Sequence, residues 1–133
     1  MARKKCKGTE LSVFKGREAK LNRAIFGVLT ARGSLVIYDI AQGLKKHRGL
    51  KHTKYTNVNR RVKSLEKQRY LEKAGSRNTQ SGPKRELYQI TARAQVACFF
   101  DKVSTDDFIQ EANDEILVAQ LAAISLFMKL LET

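Results

Sequence analysis

Acidic residues are scarce over most of this chain. Residues 1–100 hold 6 Asp and Glu against 24 Lys and Arg, a balance of +18. Cysteine is scarce too. Cys6 and Cys98 form no CxxC pair and cannot build a disulfide framework, which suits a reducing cytoplasm, and Cys98 is expected in the core. The two histidines, His47 and His52, lie in a basic loop without a third ligand of suitable spacing, so no metal site and no cofactor is expected. There is no Ser/His/Asp grouping, no phosphate-cradling glycine loop and no pair of carboxylates in an apolar setting, and an enzyme is therefore not expected. The start, MARKKCKGTE, lacks the apolar run of a signal peptide, so export is not expected. No internal repeat or low-complexity tract appears beyond the basic ARKKCK segment, which is read as a frayed or phosphate-seeking arm.

The charge that is present is unevenly distributed. Residues 101–133 hold 2 Lys and Arg against 7 Asp and Glu, a balance of −5 that completes the net +13. A chain of 133 residues supports one domain with an appended element. Its charge pattern indicates a polyanion-binding body joined to a segment with a different task. The boundaries expected are a basic arm over 1–15, a body over 16–100 and a C-terminal helical segment over 101–133.

Hydrophobic periodicity orders the body. Leu21, Ala24, Ile25, Val28 and Leu29 recur at i, i+3, i+4, i+7 and i+8, predicting a helix from Arg17 to Ala31 that stops at Gly33. Leu11, Val13 and Phe14 form a leading arm. Leu35-Val36-Ile37 reads as a short strand, and Ile40, Ala41 and Leu44 continue at helical spacing to about Lys46. The loop HRGLKHTK then leads to a helix expected to be capped by Thr56, with Val58, Val62 and Leu65 on one stripe. Two strands follow, Tyr70 to Gly75 and Arg85 to Ile90, joined by a turn holding Ser81-Gly82-Pro83. Thr91 caps a helix through about Phe100 that is expected to bury Val96, Ala97 and one of Phe99 and Phe100.

A docked basic helix followed by a basic hairpin has the form of a winged helix-turn-helix, an α+β but mainly α architecture. Such a helix enters the major groove, where Asn can pair with adenine and Arg with guanine. The residues off the apolar stripe, Thr56, Asn57, Asn59, Arg60 and Lys63, are the base-edge candidates. Lys54, Tyr55, Arg61 and Lys67 are assigned to phosphate, with the wing residues Arg77, Lys84 and Arg85 on phosphate or the minor groove. The alternative is an ordinary solvated helix face beside a hairpin that only covers the core.

From about Ala19 to Gln95 the chain resembles the winged-helix regulators of the PadR type, within the PadR/MarR group. The matching features are Val58, Val62, Leu65-Glu66, Tyr70-Leu71, Gly82-Pro83, Leu87-Tyr88 and Ile90-Thr91. Arg69 stands where such proteins usually have glycine after the helix, and Ala94 replaces a glycine after Thr91. The resemblance implies a homodimer in which C-terminal helices pair.

The tail suits that role. After a helix start at Ser104-Thr105-Asp106-Asp107, only Gln120, Ser125 and Lys129 are not apolar among the sixteen residues Ile116 to Leu131. Ile116, Leu117, Leu121, Ile124, Phe127, Met128 and Leu131 are the dimerisation candidates. The other readings are an internal core helix, or membrane insertion, for which the segment falls short of the roughly 20 residues needed. The function expected is a cytoplasmic, sequence-specific regulator binding double-stranded DNA as a homodimer. Its rivals are a winged-helix module for RNA or ribonucleoprotein, and a protein-interaction module. No residue set indicates an effector pocket.

Overall fold

The computed structural model describes residues 11–79 and 82–132. Residues 1–10 of the arm expected over 1–15, with Cys6, and Ser81 of the wing turn lie outside the described residues. The chain divides after Asp101 into two compact units.

The first unit opens with a 3-10 turn, Ser12–Phe14, whose Val13 and Phe14 are buried. Asn22 donates to the Val13 carbonyl at 2.8 Å, pinning this turn onto α1 (Ala19–Arg32). The expected apolar stripe of α1 is buried, and Phe26 joins it, stacking edge-on against Phe14 with centroids 5.8 Å apart. The helix ends where predicted: Gly33 takes a φ of 82° and its N–H donates to the Leu29 carbonyl. That left-handed conformation is one glycine adopts without steric cost.

The expected strand at Leu35–Ile37 contracts to a single bridge. Leu35 and Tyr88 exchange both backbone hydrogen bonds, at 3.0 and 2.8 Å. Helix α2 (Ile37–Leu44) begins two residues later, so no backbone remains to extend the ladder. It ends before the Lys46 expected for its end. A long loop then leads to α3 (Tyr55–Lys67), which starts ahead of the predicted cap. Lys54 is the N-cap, its carbonyl accepting from Asn57 and Val58, and Thr56 sits within the first turn. Val58, Val62 and Leu65 are each 0% exposed. Burial on this scale contributes about 1.5–3 kcal/mol per large aliphatic side chain.

The exit from α3 shows how Arg69 is accommodated. Arg69 has a φ of 68°, the only positive value among described residues other than glycine. Its N–H donates to Glu66 and the Tyr70 N–H to Leu65, both at 2.9 Å. These two bonds are those of a Schellman motif, in which the left-handed residue is usually glycine. The Thr91 hydroxyl donates to the Arg69 carbonyl at 2.8 Å, while its oxygen accepts from the Ala94 N–H at 3.2 Å. Thr91 therefore caps the next helix, as predicted, and also holds the Arg69 turn. Ala94 is fully buried.

Strands β1 (Leu71–Thr79) and β2 (Gly82–Ile90) pair antiparallel and extend beyond the predicted limits, to Thr79 and back to Gly82. A bulge between Lys73 and Gly75 bends the hairpin away from its base, with Gly75 at a φ of 131°. In α4 (Ala92–Lys102) the expected burial is revised. Ala94 and Ala97 are inside and Cys98 is half-buried against the core, whereas Val96, Phe99 and Phe100 are exposed.

The second unit holds α5 (Thr105–Glu111) and α6 (Asp114–Leu131). The tail is thus two helices, broken at Ala112-Asn113. Ser104 and Asn113 cap them by accepting from Asp107 and Ile116, and acids fill each first turn, as the helix dipole favours.

Replacing Arg69 with glycine is expected to raise the unfolding free energy by about 0.5–1 kcal/mol, because the Cβ strain of the left-handed turn is relieved. Urea denaturation of the two proteins measures it. A loss of stability would mean that the arginine side chain, not the backbone, holds the turn.

Candidate nucleic-acid interface

With Val58, Val62 and Leu65 turned inward, the helical period sets Thr56, Arg60, Lys63 and Lys67 on the opposite side of α3. All four are exposed. They form a ridge of one hydroxyl and three cations, with no acid among them. Asn57 and Asn59 flank it. The Asn57 side-chain oxygen accepts from the Arg60 guanidinium at 2.7 Å, so these two candidates are joined in the free protein. Asn59 is half-buried and lies with Tyr55, Lys63 and Arg85 around a cavity of about 200 Å³ between α3 and the hairpin.

Arg61 is placed differently from its neighbours. Its side chain is only 18% exposed and turns toward α1, with Glu18 at 3.7 Å and a hydrogen bond to the Ser64 hydroxyl. The buried Nε finds no partner among the described residues. Arg61 ties α3 to α1, an arrangement unlike the free phosphate contact expected from the sequence. Lys54 lies before α3, and Tyr55 starts it, both exposed.

On the hairpin, Arg77 and Arg85 stand directly opposite each other in register. Facing like charges are unfavourable across a strand pair. Asp39 of α2 offsets this, its carboxylate 3.3 Å from the Arg77 guanidinium. Lys84 and Arg85 are exposed. At the hairpin base, Tyr88 is buried in the core and bridged to Leu35, and its hydroxyl pKa is raised above the usual 10 by desolvation and then by the Glu66 and Glu86 charges. It is a structural tyrosine that stays neutral.

The geometry therefore presents a cationic helix ridge beside a cationic two-stranded ribbon, carried on a buried base. No family model matches the chain, and no curated protein does. Among solved structures it is similar to Bacillus subtilis PadR in complex with operator DNA, with a TM-score of 0.52 and 18% identity. The match covers 83% of this chain and 61% of that one, so the chain accounts for about three fifths of that protein's length. The fold is a winged helix.

In winged-helix terms α1 to α3 are the helical core, Leu35 with β1 and β2 the three-part sheet, and the hairpin the wing. The other side chains of interest lie in the second unit. Of the seven tail candidates, Ile116, Leu121, Ile124, Phe127, Met128 and Leu131 are 44–64% exposed, and Leu117 is intermediate. No described helix is long and apolar enough to cross a membrane. Among the described residues no three His, Cys, Asp or Glu side chains cluster as metal ligands would.

Two features beside the ridge and wing carried no sequence signal. Asp39 neutralises a wing arginine from 38 residues away. Arg17 and Lys20 of the α1 region share a cleft with Asn57 and Arg60, although in sequence they read only as part of the general positive charge.

Because Arg61 is held between α1 and α3, Arg61→Ala is expected to lower stability by about 1 kcal/mol, combining a weak, partly exposed ion pair with lost stem packing. Arg60→Ala should leave stability within about 0.5 kcal/mol of the parent, as a surface change does. Thermal melts of both variants check this. Equal melting temperatures for the two would show that Arg61 plays no structural part.

Proposed function

We propose that this protein is a transcriptional regulator that binds double-stranded DNA as a homodimer. The observation that carries the reading is the α3 ridge. Three fully buried residues fix the helix on one side, while Thr56, Arg60, Lys63 and Lys67 are exposed on the other. A helix so mounted can lie in a major groove with the ridge against base edges and phosphates. Asn57, Asn59, Arg60 and Lys63 would read bases. Lys54, Tyr55, Lys67 and the wing cations Arg77, Lys84 and Arg85 would meet the backbone or the minor groove. The similarity of fold to a protein solved with operator DNA supports the same reading.

The homodimer rests on α6. None of its residues is buried, and nine large apolar side chains along it are at least 44% exposed. Pairing with a second copy would remove this surface from water, and two-fold pairing would present two reading heads. Two cysteines without a disulfide framework fit a cytoplasmic protein. It is read as a binding protein rather than an enzyme.

Selection of bound sites from a random duplex library tests the reading directly. Enrichment of a two-fold symmetric site supports it. Equal affinity for selected duplex, random duplex and structured RNA across salt concentrations would leave an unspecific polyanion binder instead.

Arg60→Ala is expected to weaken binding to the selected site by about 1–3 kcal/mol while changing random-duplex binding less, and Lys84→Ala should weaken both alike. Titrations of both variants on both duplexes distinguish base reading from phosphate contact. Sedimentation of the full chain should show a dimer, and a version ending at Lys102 should sediment as a monomer. Identical sedimentation of the two would remove α6 from the dimer.

A further inference from the structure

One basic surface of the first unit is not used by the ridge or the wing. The loop between α2 and α3 spans residues 45–54, against the three or four residues usual in a helix-turn-helix turn. It carries Lys45, Lys46, Arg48, Lys51 and Lys54 with two histidines and no acid. At Gly49, with a φ of 85°, the loop backbone passes against α1 so closely that a Cβ there would strike the end of the Lys20 side chain. The loop and α1 together enclose an open depression of about 600 Å³. Ala24 and Leu50 supply its apolar lining and Lys20, His47 and Arg48 its polar one, while Arg23 at its edge is held by Asp101 at 2.8 Å. Among the described residues no acid lines it.

Lys20 and Leu50 also line a neighbouring cleft of about 380 Å³ that reaches Asn57 and Arg60 on α3. The one acid in that cleft, Glu18, is paired with Arg61. Lys20 lines both hollows, so a track of basic side chains extends from the α3 ridge, across Lys20, to Arg48. Away from Asn57 and Arg60 its charged ends are Lys20 and Arg48, both exposed, and such point charges suit backbone contact.

We propose that this track is a second phosphate-binding surface, gripping duplex backbone outside the base pairs that α3 faces. The proposal rests on the DNA reading above. A phosphate chain leaving the α3 ridge would continue onto Lys20 and Arg48, the end of Lys20 lying beside the loop backbone at Gly49. Contact of this kind adds affinity and salt dependence without sequence preference.

The test uses the full chain and its Lys20→Ala/Arg48→Ala double variant. Each is titrated at several salt concentrations against a duplex trimmed to the selected site, and against the same site with about one helical turn of flanking DNA on each side. On the flanked duplex the variant should lose about 1.8 from the slope of log K against log salt, since each phosphate contact contributes about 0.9. On the trimmed duplex the two proteins should match. Equal loss on both duplexes, or loss on neither, overturns the proposal. Thermal melts guard against misfolding. If the double variant melts lower, Arg48→Gln alone should still lose about 0.9 of slope on the flanked duplex only. Parent protein that binds the site without any benefit from flanking DNA sinks this proposal alone. Parent protein that prefers a structured RNA of equal length to either duplex sinks the DNA reading with it.

Discussion

Everything the first unit presents to a partner hangs on the burial of Val58, Val62 and Leu65. These three residues seal α3 against α1, α2 and the hairpin base, with no exposed area left on any of them. A helix carrying Arg60, Arg61, Lys63 and Lys67 within eight residues repels itself and its neighbours, and like charges one turn apart destabilise an isolated helix. Its short length would make it marginal alone. The apolar stripe is what holds that charge in a fixed orientation, because rotating α3 about its axis would lift three fully buried side chains into water. Orientation of the cations is thus a consequence of packing, and only secondarily of any ion pair.

The second constraint acts at the end of the same helix. The Arg69 turn sets the direction in which β1 departs, and the Thr91 hydroxyl fastens that turn to the start of α4. Three elements therefore meet on one threonine: the exit of α3, the base of the wing and the N-terminus of α4. A left-handed arginine costs conformational energy, and it persists here because two backbone hydrogen bonds and a side-chain one over-determine it. The position tolerates a non-glycine residue because its surroundings, not its own preference, fix the backbone.

These features differ in how far the sequence revealed them. The stripes of α1 and α3 were legible because residues three and four apart on a helix share a face, so burial is written locally. Thr91 was legible as a cap for the same reason. The wing is longer than its sequence signals: Ser76 to Thr79 and Gly82 to Arg85 show no apolar alternation, and Ser76, Arg77, Lys84 and Arg85 are exposed. α4 was over-read, because the close approach to the core admits Ala94 and Ala97 and leaves the larger Val96 and Phe100 outside. The pairs Arg77–Asp39 and Arg23–Asp101 join residues 38 and 78 apart, and no periodicity reports on such contacts. Of the candidate site, the exposure of the ridge could be derived from the stripe opposite it, but the inward turn of Arg61 could not. Arg60 and Arg61 are adjacent in sequence, and one residue of rotation separates a solvent-facing cation from one that ties two helices together.

The division of the chain by charge has an energetic meaning in this setting. A balance of +18 over the first hundred residues is a standing electrostatic cost in the free protein. Among the described residues the ion pairs are few: Asp39, Glu18 and Asp101 each meet one arginine, and Glu66 meets Lys73. A polyanion removes that cost, which is why its binding should depend steeply on salt. The tail carries the opposite problem, an excess of apolar surface and a balance of −5. On the proposed homodimer the two costs are relieved by different partners, a phosphate backbone for one and a second copy for the other. They are also coupled. Once one body is on DNA, its paired copy is held at high local concentration beside the same duplex, so its binding becomes an intramolecular step. On the proposed reading, each body's contacts with the duplex then add to those of its partner, and affinity grows without any new contact per body.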